Sequence, residues 1–149
     1  MKVSVNIHPE LLIVDDNPAD IVLAREALAG STHSTQISSV GDGEEALAFL
    51  NRREKYRHTA RPGLVLLDLN LPKKDGEAVL AAMKTDPELR CIPVVIFSTS
   101  KLSRDIARSY ELGANCYVSK PGNLNDFFSA IQLIEEFWFG LAIPAPRGE

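Results

Sequence analysis

The chain has 149 residues, of which 45% are hydrophobic and 24% charged, and carries a net charge of −4. That length and balance predict one globular domain with its own core, and the negative charge gives no electrostatic footprint for nucleic acid or an anionic membrane. No apolar run approaches the roughly 18 residues of a membrane helix, and "MKVSVNIHPE" lacks the apolar stretch and cleavage pattern of a signal peptide.

Cys91 and Cys116 form no CxxC pair and, with three scattered histidines, offer no zinc spacing. Both are expected as packed, reduced thiols of a cytoplasmic protein.

Along the chain, "LLIV" (11–14) predicts a strand, and Asn17-Pro18 suits a helix start with proline in the first position. Ile21, Ala24 and Leu28 then recur at helical spacing until Gly30. "TQISSV" (35–40) is a weaker strand. "GDGEEALAFL" supplies a turn, an Asp42 cap with Glu45 three residues on, and a helix carrying Leu47 and Leu50. The basic stretch "NRREKYRHTARPG" reads as a long solvated connection, with a partner-binding surface as the other reading. "LVLLD" is a continuous hydrophobic strand, and "GEAVLAAMK" a helix ending near Pro87. "VVIF" (94–97) is the next strand, followed by a helix over 104–112 that stops at Gly113. "CYVS" (116–119) is the last strand and "NLNDFFSAIQLIEEFWF" the last helix. That helix is apolar nearly all round, through Phe127, Phe128, Ile131, Leu133, Ile134, Phe137 and Trp138, more than one sheet face covers. "PAPRGE" reads as a free tail.

Five β-then-α units with continuous apolar strands imply an α/β fold, a doubly wound parallel sheet covered on both faces. Such sheets place their sites beyond the carboxyl ends of the strands. The domain is expected over residues 9–140, with 1–8 and 141–149 as flexible or dimer-related tails and no output domain.

The polar residues fall at those ends. Asp15 and Asp16 follow the first strand, Asp68 the third, Ser98 ends the fourth and Lys120 follows the fifth. Any single Asp there is ordinarily a helix cap or turn residue. Together, three carboxylates, a hydroxyl and an ammonium converge on one crevice. Neighbouring carboxylates repel unless a cation sits among them, and hard oxygen donors with room for water suit Mg²⁺. A metal, a lysine and a nucleophilic carboxylate are the parts needed to make an acyl phosphate, with Asp68 as reactive centre.

"VDD", "LLDLNLPKKDG", "VVIFSTS" and "YVSKP" resemble the signature of response-regulator receiver domains, from about Leu11 to about Trp138. The resemblance implies a flavodoxin-like sheet in the order 2-1-3-4-5 and a phosphoryl group received on Asp68 from a histidine kinase. It implies Mg²⁺ held by Asp16, Asp68 and the backbone carbonyl of Asn70, with Asp15 through water. Ser98 would bond the phosphoryl oxygen, Lys120 would pair with it before a cis Lys120–Pro121 bond, and Tyr117 would be an aromatic switch. A receiver is a signalling protein rather than an enzyme, with Mg²⁺-dependent self-phosphorylation and dephosphorylation as its only chemistry. "LNLPKKDG", the long loop, "NCYVSKPGNL" and "IEEFWFG" look like the small regulators paired with bacterial and cyanobacterial phytochromes. That points to a phytochrome kinase as partner and a homodimer through the last helix. Thr99 departs from the smaller residue often found beside the Ser98 position, which bears on access to the phosphoryl group.

Three other readings compete. A haloacid-dehalogenase-type phosphatase needs a second Asp two residues after its nucleophile, where this chain has Asn70. A nucleotide-binding protein would need a Gly-rich loop where "DDNPAD" stands. A degenerate receiver would lack some of Asp16, Asp68 and Lys120, all of which are in place.

Overall fold

Strands buried on both faces need apolar residues at consecutive positions, and three of the runs supply them. β1 (Glu10–Val14), β3 (Leu64–Leu67) and β4 (Val94–Ser98) are buried nearly throughout. In the computed structural model, which describes residues 8–146, these pair in parallel with β2 (Gln36–Val40) and β5 (Cys116–Ser119) in the order β2-β1-β3-β4-β5. The expected doubly wound α/β sheet and its strand order are both present. Of the expected tails, residues 1–7 and 147–149 lie outside the described residues, whereas 142–146 are described and run on without helix or strand.

Successive side chains point to opposite faces, which splits the core in two. Leu12, Val14, Val65, Leu67, Val94 and Ile96 face α2 (Gly43–Leu50) and α3 (Gly76–Thr85). Leu11, Ile13, Leu64, Leu66, Val95 and Phe97 face α1 (Pro18–Leu28) and α5 (Leu124–Glu135). α4 (Ser103–Glu111) lies beside β5 and buries only Ser109. Each fully buried Leu, Ile or Val contributes about 1.5–3 kcal/mol relative to exposure, so the central strands anchor the sheet.

The helix ends follow local chemistry. Asn17 accepts hydrogen bonds from the backbone N–H groups of Ala19 and Asp20, with Pro18 in the first helical position. Gly30 (φ 79°) and Gly113 (φ 106°) follow α1 and α4 in the left-handed region, as expected of C-terminal stops. Asp42 caps α2 through Glu45 N–H at 2.8 Å, but Glu45 does not complete a capping box. Its carboxylate accepts from Tyr56 O–H at 2.6 Å and pairs with Lys55 instead.

That contact reshapes the basic connection. A short 3₁₀ turn, Glu54–Tyr56, interrupts it, and the Tyr56 ring packs on Phe49 with centroids 5.0 Å apart. Arg52, Arg53 and Arg57 stay exposed. The stretch is a pinned loop with solvated charges.

Two further expectations change. The last helix is not continuous: α5 passes into a π-type segment, Glu136–Leu141. Phe127 and Ile131 are buried, and Phe128, Ile134, Trp138 and Phe139 pack against the α1/α5 core. Leu133 (69% exposed), Phe137 (48%) and Leu141 (73%) face outward. Glu135, inside this apolar stretch, is buried because Ser31 and Thr35 hydroxyls donate to its two oxygens at 2.9 and 2.6 Å. Beside it, His33 Nε2 lies 2.9 Å from Glu136. The expected cis Lys120–Pro121 bond is trans, the ordinary preference of X–Pro bonds.

Both outer strands carry side-chain partners. Arg25 donates to the Ile37 carbonyl at 3.1 Å and approaches Ser39 Oγ at 3.4 Å on β2. On β5, Tyr117 N–H donates to the Tyr110 phenol oxygen at 3.1 Å.

Gly76, the first residue of α3, packs against the backbone that follows β3, where a Cβ would collide with the Asp68 carbonyl and stand 2.6 Å from Leu69 Cα. Gly76→Ala is expected to cost about 1–3 kcal/mol in urea unfolding, the scale of an overpacked site. Gly122→Ala, with nothing within 4 Å, is expected to stay within about 0.5 kcal/mol of the parent.

Candidate functional site at the carboxyl edge of the sheet

Backbone hydrogen bonds carry the ladder one residue past each strand. Asp15 N–H donates to the Val40 carbonyl at 3.1 Å, Asp68 N–H to Val14 at 2.9 Å and Lys120 N–H to Ser98 at 2.8 Å. The three side chains therefore leave the sheet at one edge with their Cα positions fixed by the neighbouring strands. The convergence of Asp15, Asp68 and Lys120 read from the sequence is present in space.

Lys120 lies at its centre. Its Nζ is 2.8 Å from Asp15 Oδ2, 2.8 Å from Asp20 Oδ2 and 3.0 Å from Asp68 Oδ2. An ammonium has three N–H groups, and here each one has its own carboxylate. The side chains of Lys120, Asp15 and Asp68 are 6%, 6% and 9% exposed, so these are buried ion pairs. The remaining oxygens of the two acids are taken by backbone: Asp15 Oδ1 accepts from Asn17 N–H at 2.9 Å and Asp68 Oδ1 from Asn70 N–H at 3.2 Å.

Burial works to lower the Lys120 pKa, yet the Asp15 and Asp20 hydrogen bonds and the Asp15 and Asp68 charges raise it above the ordinary lysine value. Burial pushes the Asp15 carboxyl up, against the Lys120 and Asn17 hydrogen bonds, and the Asp68 charge pushes it the same way. The two directions are consistent. One ammonium has three acids to itself, whereas each acid has a share of one ammonium.

Asp16 is exposed at the mouth of the cluster, and ligand oxygens of Asp15, Asp16 and Asp68 lie within 4.8 Å of one another. Hard oxygen donors at that spacing, open on the Asp16 side, fit a divalent cation of the Mg²⁺ or Mn²⁺ kind. Asp16 and Asn70 line one cleft together with Asp75, Glu77 and Asp105.

Ser98 is fully buried at the end of β4, and its Oγ accepts from Ser100 N–H at 3.2 Å. The Ser100 carbonyl accepts from Tyr117 O–H at 2.8 Å, and the Ser100 hydroxyl donates to Asp105 at 2.5 Å. Ser98 and Tyr117 are thus joined through one residue. Thr99, next to Ser98, is exposed. Asp20 is the one member of the cluster that strand-end reasoning passes over, because it lies in the first turn of a helix. No spacing in the sequence marks it, since Asp16 precedes the Asn17 cap of the helix that carries Asp20, and only its distance to Lys120 reveals it.

Lys120→Met would leave Asp15 and Asp68 buried without their counter-charge. The expected cost is about 3–5 kcal/mol, the scale for a buried ion pair broken on one side. Millimolar Mg²⁺ should restore more of the melting temperature in the variant than it adds to the parent. Equal gains in the two would show that cation and lysine do not draw on the same acids.

Residues 11–132 match the response regulator receiver domain family. The response regulator Rcp1 of Synechocystis is 48% identical over 128 residues, spanning 86% of this chain and 87% of Rcp1. Among solved structures, the phosphorylated cyanobacterial phytochrome response regulator RcpA superposes with a TM-score of 0.91 at 48% identity, covering 94% of this chain and all of that one. The Mn²⁺-bound form of Rcp1 superposes at 0.88 with 44% identity, over 93% of this chain and 99% of that one. Neither the strand order nor these relatives support the phosphatase reading. The chain belongs to the response regulator receiver domain family.

Proposed function

We propose that this response regulator accepts a phosphoryl group on Asp68 from a histidine kinase of the phytochrome type. The observation that carries the reading is Asp68 itself: a buried carboxylate beyond a wholly apolar strand, with one oxygen on Lys120 and two further acids in ligand reach. The kinase class is supported by RcpA, a cyanobacterial phytochrome response regulator that matches nearly the whole chain.

In the transfer, an Asp68 Oδ forms a bond to phosphorus as the phosphorus–nitrogen bond of the donor's phosphohistidine breaks, and the imidazole leaves neutral as its other ring nitrogen takes a proton from solvent. A divalent cation held by Asp15, Asp16, Asp68 and the Asn70 carbonyl supplies neutralisation of the phosphoryl charge when bound; Mg²⁺ is the reading for this chain. Lys120 turns an N–H from a carboxylate to a phosphoryl oxygen. Ser98 donates its hydroxyl to another, which withdraws its Oγ from Ser100 N–H. The turn at Ser100 then loosens its hold on Tyr117, whose ring is half-buried beside the α2/α3 core. In this way a charge placed on Asp68 reaches the surface formed by α4 and β5, and the output is a change of that surface.

The phosphoacceptor assignment is checked by mass spectrometry after incubation with acetyl phosphate and Mg²⁺. One added phosphoryl group is expected, lost in Asp68→Asn and lost with excess chelator. Full labelling of Asp68→Asn would move the acceptor elsewhere.

Assembly is a second part of the proposal: two copies associate through the end of α5 and the π-type segment. Trp138 and Phe139 cover the chain's own core, but Leu133, Phe137 and Leu141 remain exposed apolar side chains. A two-fold interface uses them on both copies. Sedimentation at tens of micromolar is expected to give a dimer, and Leu133→Glu with Phe137→Asp a monomer of unchanged helicity. A wild type that stays monomeric, phosphorylated or not, would end this part.

A further inference from the structure

The Lys120 ammonium has a partner that the family's motif residues do not account for. Asp20 Oδ2 stands 2.8 Å from Nζ, as close as Asp15 and closer than Asp68. It projects from the first turn of α1, where the Asn17 cap accepts its backbone N–H. Its side chain is 21% exposed, so it reaches the buried lysine from the rim of the site.

Consider what a divalent cation does to this arrangement. Asp15 and Asp68 each have one oxygen on backbone N–H and the other on Lys120. A cation bound among Asp15, Asp16 and Asp68 draws on two of the carboxylates that Lys120 uses, and it repels the ammonium as a like charge. Asp20 is not in the group whose ligand oxygens lie within 4.8 Å. It is therefore the partner for which lysine and cation do not compete.

We propose that Asp20 is a positioning residue for Lys120, holding the ammonium beside Asp68 when a divalent cation takes over Asp15 and Asp68. The proposal rests on the phosphoacceptor reading above. Asp20 keeps Lys120 neutralised while the cation enters, and leaves it one bond away from the acceptor oxygen. Without it, among the described residues, Lys120 has only the cation's own ligands to pair with, so it opposes metal binding. The carboxylate acts through the lysine, not on the metal.

Free Mn²⁺ counted by electron paramagnetic resonance, with the full chain, tests this without any phosphoryl transfer. Asp20→Asn is expected to raise the Mn²⁺ dissociation constant roughly three- to tenfold, a coupling of ordinary size for directly bonded neighbours. Asp20→Glu should recover most of the affinity. In a Lys120→Met background, which removes the competitor, Asp20→Asn should change affinity by less than about twofold. An equal loss in both backgrounds would mean that Asp20 acts by its own charge on the metal, and would overturn the proposal. So would unchanged affinity in Asp20→Asn, or failure of that variant to fold, which would make the residue structural. A wild type that takes up no Mn²⁺ would bring down the phosphoacceptor reading as well, whereas normal wild-type uptake with any of the other failures would remove only the role of Asp20.

Discussion

One buried ammonium shared by Asp15, Asp20 and Asp68 ties four separate parts of the chain together at the carboxyl edge of the sheet. Each partner arrives on a different element: the residue after β1, the first turn of α1, the residue after β3 and the residue after β5. The charges do not balance, and that imbalance is the useful part. An over-compensated lysine stays protonated, while under-compensated acids remain ready for a stronger cation. The fold meets this requirement with backbone, since interstrand hydrogen bonds fix Asp15, Asp68 and Lys120 before any side chain is placed.

The sheet around that edge was readable from hydrophobic periodicity because its central strands have no polar face. "LLIV", "LVLL" and "VVIF" leave no other structure for themselves, and Gly30 and Gly113 mark their helix stops by backbone freedom that other residues lack. The departures arise where local pattern and tertiary contact disagree. Glu45 has the sequence position of a capping-box partner, but a tyrosine eleven residues on offers a shorter bond. The apolar run after Asn123 predicts one helix, and nothing in its spacing distinguishes the α-helical part from the π-type turn that swings Trp138 and Phe139 back onto the core. Glu135 inside that run is compatible with burial only because Ser31 and Thr35 lie opposite, about a hundred residues earlier.

The site was legible to the extent that it is built from strand ends. Asp15, Asp16, Asp68, Ser98 and Lys120 follow or close apolar runs, and the parallel order brings them to one edge. Asp20 was not, because a carboxylate in the first turn of a helix is already explained by the helix dipole. Only the distance to Lys120 distinguishes that ordinary preference from a place in the cluster. Tyr117 shows the converse. The resemblance assigns it a switch, and hydrogen bonds on either side of Ser100 join it to Ser98.

An open five-stranded sheet has two rims, and each presents unpaired backbone groups to any other extended chain. Here the Arg25 guanidinium occupies an outward carbonyl of β2, and the Tyr110 phenol occupies an outward N–H of β5. Both outer strands are also short, five and four residues. Growth of the sheet by strand addition would have to displace these groups first. Copies of this chain are thereby steered away from edge-to-edge stacking, the route to fibrous aggregates, and toward contacts between helical surfaces that close and stop.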